Sequence, residues 1–281
     1  MDKEHGVSGP PGDSGAYGRR ATGFDIPILL YHHLLPKGAS AESVALPVDL
    51  FEQHLDVLAQ GGFKTIAISD LAVAIEEERC LPEKPIVITF DDGFTSFSEL
   101  ATPALAARGM VATVYALAGD LGGYSRWDDP GSIPPRHLMD AAELRAVRDA
   151  GMEVGVHGWY HRDLTKCTPD ELEQEVSSSK IELQSKLGVR LDHFAYPYGH
   201  YSAKTPPLIA SAGYRSGMAV RNKERAVTAN PLAMRRISIH AGDTPRRFRI
   251  KISRAFLKYS ALRERRFGNK RWPGIVEIGW H

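Results

Sequence analysis

Short apolar runs and longer amphipathic stretches alternate along most of this chain. Runs rich in β-branched and aromatic residues at 28–31, 63–66, 85–90, 110–117, 153–157, 192–196, 214–220 and 234–239 predict strands. Their near-continuous apolarity is the pattern of parallel strands covered on both faces. Between them, helical spacing of apolar residues predicts helices over 47–60, 69–78, 99–108, 140–150, 168–187 and 207–212. The punctuation agrees with this division. Thr168-Pro169-Asp170-Glu171 combines a capping hydroxyl, a proline at the first helical position and a capping box, and Gly109, Gly151 and Gly188 follow helix ends. Residues 118–138 hold a long loop of the kind that walls a site. Seven or eight β units with intervening helices predict an α/β fold, a parallel barrel rather than an open sheet.

The two ends break the pattern. Residues 1–24 contain six Gly and two Pro with almost no apolar anchors, and are expected to be a disordered tail. Residues 25–244 form the expected barrel, and residues 245–281 a basic helix and tail that Thr244-Pro245 would start. The whole chain carries 35 Lys/Arg against 34 Asp/Glu, yet residues 246–271 hold eleven of the basic residues and a single acid, Glu264. The barrel body is therefore acidic and its appendage basic. Phe248, Ile252, Phe256 and Tyr259 recur there as one apolar stripe. Such a helix either closes the barrel with its stripe or holds the chain peripherally on an anionic membrane or polymer. No nucleic-acid partner is expected. No apolar run is long enough to span a bilayer, and Met1-Asp2-Lys3-Glu4-His5 lacks the order of a signal peptide, so cytoplasm is the default, with membrane association through the basic segment. Cys80 and Cys167 are expected as reduced thiols.

Chemistry concentrates at the C-terminal ends of strands, the face on which barrels build active sites. Asp91-Asp92-Gly93 closes the run 85–90, and His157 and His161 follow the run 153–157. Adjacent carboxylates repel unless a cation or a shared proton resolves the conflict. An Asp-Asp pair alone is usually a solvated turn, and an isolated His-x3-His is usually accidental. Both at strand ends of one repeating pattern give one carboxylate and two imidazoles, the protein share of a catalytic metal site with an open position, and leave a second carboxylate as a base. The chemistry is that of a metal-assisted hydrolase.

Over roughly residues 25–245 the motifs, in order, resemble the polysaccharide deacetylases of carbohydrate esterase family four, the NodB-homology domain, whose fold is a distorted, incomplete (β/α)7-8 barrel. Thr89-Phe90-Asp91-Asp92-Gly93 matches the first motif, which implies Asp91 as catalytic base and Asp92 as metal ligand. His157 and His161 match the two metal histidines, although Gly158 stands where the family usually has Ser or Thr, removing a hydroxyl that steadies the loop. Phe194-Ala195-Tyr196-Pro197-Tyr198-Gly199 matches the third motif, which implies the Tyr198 N–H as an oxyanion donor. The family's base-orienting arginine would fall at Ala195. Its absence, with the opening Leu30-Tyr31-His32-His33, resembles the branch acting on exopolysaccharides of the poly-N-acetylglucosamine type, and leaves Arg235 or Arg236 to orient the base or merely to solvate the last strand. The fourth motif is not recognisable. The family's general acid, a histidine after a late strand, would be His240.

The resemblance implies N-deacetylation of an amino-sugar polysaccharide or oligosaccharide, hydrolysis of a linear amide, with a divalent metal, Zn²⁺ before Co²⁺, Ni²⁺ or Mn²⁺. His32 or His33 would orient a ligand or receive the leaving amine, and Trp127 and Trp159 would stack on sugar unless they belong to the core. Two rivals stand beside this reading. One is a deacetylase or deformylase of a lipid-linked sugar or small N-acylated metabolite at the cytoplasmic membrane face. The other is a carbohydrate-binding barrel without turnover.

Overall fold

Strands β1 (Ile28–Tyr31) and β5 (Pro85–Phe90) pair in parallel through four residues each in a computed structural model, which describes residues 26–40, 45–127, 135–220 and 230–257. Thr89 fixes that pairing from within, its buried hydroxyl donating to Leu29 O at 2.6 Å. Between them in the chain lie β2 (His33–Leu35), β3 (Ala45–Pro47), helix α1 (Val48–Gln60), β4 (Lys64–Thr65) and α2 (Ile68–Glu76). After β5 come α3 (Thr102–Ala106), β6 (Thr113–Ala116), α4 (Ala141–Asp149), β7 (Glu153–Val156), α5 (Pro169–Glu173) and α6 (Ser179–Leu187). The chain continues through β8 (His193–Ala195), α7 (Thr205–Ser211), β9 (Ser216–Ala219), β10 (Met234–Arg235), β11 (Ile237–Ser238) and α8 (Pro245–Lys251). The main sheet runs β10-β9-β8-β7-β6-β5-β1-β11, every pair parallel, with β4 added to β5.

The run expected as one strand over 234–239 is divided. Met234 and Arg235 pair with β9, whereas Ile237 and Ser238 pair with β1, so one stretch of backbone supplies both ends of the sheet. Arg236 is the joint: its N–H donates to Ala219 O on one side at 2.9 Å, and its side chain turns into the barrel. The result is a nearly closed, distorted (β/α) barrel, as expected from the motifs. The short parallel pair β2–β3 was not anticipated, since three-residue strands carry too little periodicity to register.

Helix boundaries follow the capping chemistry. Asp140 caps α4, accepting from Ala142 N and Glu143 N at 2.7 and 2.8 Å, and Thr168 and Glu171 form the expected capping box of α5. The helical stretch ends with Gly188 at φ +66°, as a left-handed cap requires. Within it, a wide π turn at Gln174–Ser178 turns Glu175 and Val176 into the interior.

The N-terminal segment 1–24 and residue Tyr259 lie outside the described residues, as does the chain beyond Leu257. What is described of the basic segment packs inward. Phe248 and Ile252 are buried, and the Phe248 ring stacks on His54 of α1 at 4.2 Å. Lys251 donates to Ser238 O and Asp243 Oδ2. No helix among the described residues is long and apolar enough to cross a membrane.

Candidate metal-dependent active site

Strand ends bring the two halves of the expected constellation together. Asp91 continues β5 by donating its N–H to Tyr31 O at 3.0 Å, and the chain then turns sharply, with Asp92 at φ +74° and Gly93 at φ +72°. A Cβ on Gly93 would lie 3.2 Å from Ala116 Cα, so a larger residue would hold the turn away from β6. His157 follows β7, anchored by its N–H to Ala116 O, and its Nδ1 lies 2.9 Å from Ala195 O. A carbonyl only accepts, so Nδ1 carries a proton and Nε2 is the nitrogen turned to the two carboxylates, which raise the pKa of this ring against its burial. That Nε2 stands 3.4 Å from Asp92 Oδ1 and 3.7 Å from Asp91 Oδ2, and His161 Nε2 is also 3.4 Å from Asp92 Oδ1.

Ligand atoms of Asp92, His157 and His161 all lie within 4.8 Å of one another, and all three side chains are buried. Asp92 Oδ1 has no hydrogen-bond partner although both imidazoles face it. A buried carboxylate oxygen left in that state costs on the order of 1–3 kcal/mol or more. Two imidazole nitrogens and an unsatisfied carboxylate oxygen around one point fit a divalent cation of borderline character.

Three of the five described non-glycine residues with positive φ belong to this site: Asp92, His161 at +60° and Tyr198 at +59°. Such conformations cost about 1–3 kcal/mol each and persist where packing over-determines them. His161 is held between two aromatic neighbours, with Trp127 at 4.7 Å and Tyr198 at 4.4 Å between ring centres. Trp127 is thus part of the wall. Trp159 instead fills space against Gly119, where a Cβ would meet its ring at 2.4 Å, and belongs to the core side of the loop.

Of the two candidate arginines, Arg236 reaches Asp91. Nη1 donates to Oδ1 at 2.6 Å and Nη2 to Oδ2 at 2.7 Å, with Thr89 Oγ1 3.4 Å from Nη1. Burial pushes the Asp91 carboxyl up, but Arg236, His157 and His32 together outweigh it and hold it below the usual carboxylate range. Burial likewise works against Asp92, and the histidines around it bring its carboxyl far down. His161 is lowered to about 3 by burial, so its ring is neutral and available as a ligand.

His32 lies close enough to Asp92, Asp91, Arg236 and His157 to feel their charges, and burial lowers its pKa below the usual imidazole value. His33 lies to one side, its Nδ1 3.0 Å from Ser96 Oγ and its ring edge-on to Phe94. Burial first, then Lys251, lowers His240 to about 4, while Asp243 and His32 also act on it. The His240 N–H donates to Asp243 Oδ2, the oxygen that also receives Lys251. Glu153, for which the sequence suggested no role, accepts from Ile68 N and Ser69 N at the start of α2, far along β7 from the histidines.

Sequence reasoning missed Glu175. Its fully buried carboxylate accepts from Trp159 N at 2.8 Å and Tyr160 N at 3.0 Å, inside the loop that joins the two histidines. The available signal was an acid on the same helical face as Val176, Leu183 and Leu187, where burial demands a partner.

Residues 78–217 match the model of the polysaccharide deacetylase family. YxkH of Bacillus subtilis, named for the same family, is 24% identical over 217 residues, covering 77% of this chain and 72% of YxkH. Among solved structures, Streptococcus pyogenes deacetylase PplD in complex with acetate superposes with a TM-score of 0.69 at 23% identity, over 82% of this chain and 99% of PplD. IcaB from Ammonifex degensii gives 0.66 at 21%, over 86% and 100%. These two likenesses are of fold.

Proposed function

The chain belongs to the polysaccharide deacetylase family, hydrolases of amide C–N bonds, and from that premise we propose that it removes N-acetyl groups from an amino-sugar polymer or oligomer with a divalent metal, zinc foremost. The observation that carries the reading is the buried Asp92–His157–His161 cluster beside a carboxylate, Asp91, held by its own guanidinium. Asp92, His157 and His161 would hold the metal, which supplies Lewis acidity toward the amide oxygen and lowers the pKa of water toward about 7.

Asp91 is the base. Its two oxygens are fixed by Arg236, so it enters the reaction ionised and oriented, ready to take a proton from the attacking water. The Tyr198 N–H, in the left-handed turn after Pro197, is the donor proposed for the developing oxyanion, a contribution of about 3–4 kcal/mol. His240 is the group proposed to protonate the departing amine; its ring, lowered to about 4, would first take up a proton when substrate is bound and then pass it to the amine nitrogen as the C–N bond breaks. Trp127 offers an aromatic face to the sugar beside His161. PplD was solved with acetate, the acyl product this reaction would release.

The test is acetate release from N-acetylglucosamine oligomers by the purified, zinc-loaded chain, with and without a chelator. Release that the chelator abolishes and zinc restores is expected. No release across chain lengths, or release indifferent to the chelator, overturns the reading.

A further inference from the structure

Gly158 has φ +93°, and a Cβ built on it would lie 2.5 Å from Glu175 Oε2. The carboxylate therefore occupies the space that a side chain would need at the residue directly after His157. It is not there by accident of packing. Each oxygen engages the peptide N–H groups of the loop: Oε2 accepts from Trp159 at 2.8 Å, and Oε1 from Tyr160 at 3.0 Å. Trp159 and Tyr160 are two of the three residues between the histidines. The other side of Glu175 is equally fixed, since its carbonyl accepts from Ser179 Oγ at 2.6 Å, and the wide turn at Gln174–Ser178 points its side chain inward. Among the described residues, the cation beside it is Arg162, whose Nη1 is 3.9 Å from Oε1.

Buried carboxylates that accept backbone N–H groups are stiff restraints, because rupture of either bond strands a desolvated charge. Here the restrained peptides set the distance between His157 and a His161 that sits in a left-handed conformation. We propose that Glu175 is a positioning residue for the metal: it holds the His157–His161 loop in its ligating geometry, in place of a side chain at position 158. The inference rests on the metal-centre reading above.

Cobalt(II) titration of the metal-free chain, followed by visible d–d absorption and by competition with a chelator, separates the two. Glu175→Ala and the milder Glu175→Gln, which keeps one acceptor oxygen, are compared with Glu153→Gln. Glu153 also accepts two backbone N–H groups but at the far end of β7, so it reports the cost of losing such a carboxylate away from the ligands. The expected result is cobalt affinity lowered by about 10–100-fold in Glu175→Ala, less in Glu175→Gln, with an altered absorption band, while Glu153→Gln loses melting temperature and keeps wild-type affinity. Should Glu175→Ala fail to fold, Glu175→Gln alone decides. Native affinity and spectrum in the Glu175 variants, or an equal loss in Glu153→Gln, overturns the inference by itself. A wild-type chain that takes up no cobalt overturns the metal reading together with it.

Discussion

Arg236 and Asp91 meet through two parallel hydrogen bonds of 2.6 and 2.7 Å with both side chains buried, although they lie 145 residues apart in the chain. The guanidinium offsets the cost of keeping an ionised carboxylate out of water. At Ala195, where the family places its arginine, this chain provides only a carbonyl, and that carbonyl orients His157.

Because Arg236 lowers the Asp91 pKa, Arg236→Lys, which keeps the charge but loses the fork, is expected to move the acid limb of kcat/KM to higher pH. Arg236→Met leaves a buried unpaired charge and should cost about 3–5 kcal/mol of stability. A pH–rate profile and a urea titration measure the two effects. An unmoved limb in the lysine variant would remove Arg236 from the base's environment.

The proposed base and the proposed ligand can be separated by substitution. Asp91→Asn is expected to abolish turnover and retain metal, whereas His161→Ala loses both, one ligand of three being gone. Metal analysis of the two purified variants checks it, and equal metal loss would make Asp91 a ligand.

For His240, substitution by Ala should lower kcat about 10²–10⁴-fold if the ring delivers the amine's proton. Lys251 depresses that ring, so Lys251→Met should shift the limb assigned to His240 toward higher pH. A near-native rate in His240→Ala returns the residue to a structural role.

Acid should weaken the metal-free fold well above the carboxylate range. Burial holds folded His54 near 4, against about 6.5 unfolded. Between those values the unfolded chain binds the proton and the folded chain does not, so stability rises with pH through the window. The contribution is complete above about 6.5 and is lost as pH falls through 4. His54→Leu should remove about 2 kcal/mol of the stability difference between pH 7 and pH 5, read from urea midpoints. An identical difference in both proteins would refute it.

Much of this was legible in the sequence because it depends on local chemistry. Strand β5 coincides with its apolar run, the capping box at Thr168 starts a helix, and Asp92, His157 and His161 converge as their strand-end positions implied. What escaped was long-range or too short. Glu175 reads as an ordinary helix acid until the backbone of another loop comes to it. The choice between Arg235 and Arg236 depended on a kink within a single apolar run. Lys251 is one of eleven basic residues over 246–271, and nothing local distinguishes it until Asp243 draws it inward.

The divided stretch at Met234–Ser238 also orders events in time. Leu29 and Ile237 are neighbours in the sheet but about two hundred residues apart in the chain, a separation that makes this pairing slow to form. Strands up to β9 can accumulate side by side as synthesis proceeds, while the last stretch has to find the first strand and the ninth together. Arg236 arrives only with that step. A growing or refolding chain therefore carries its Asp91 without a counter-charge until the ring is shut, and catalytic competence appears at the end of folding, as a report that the barrel is complete.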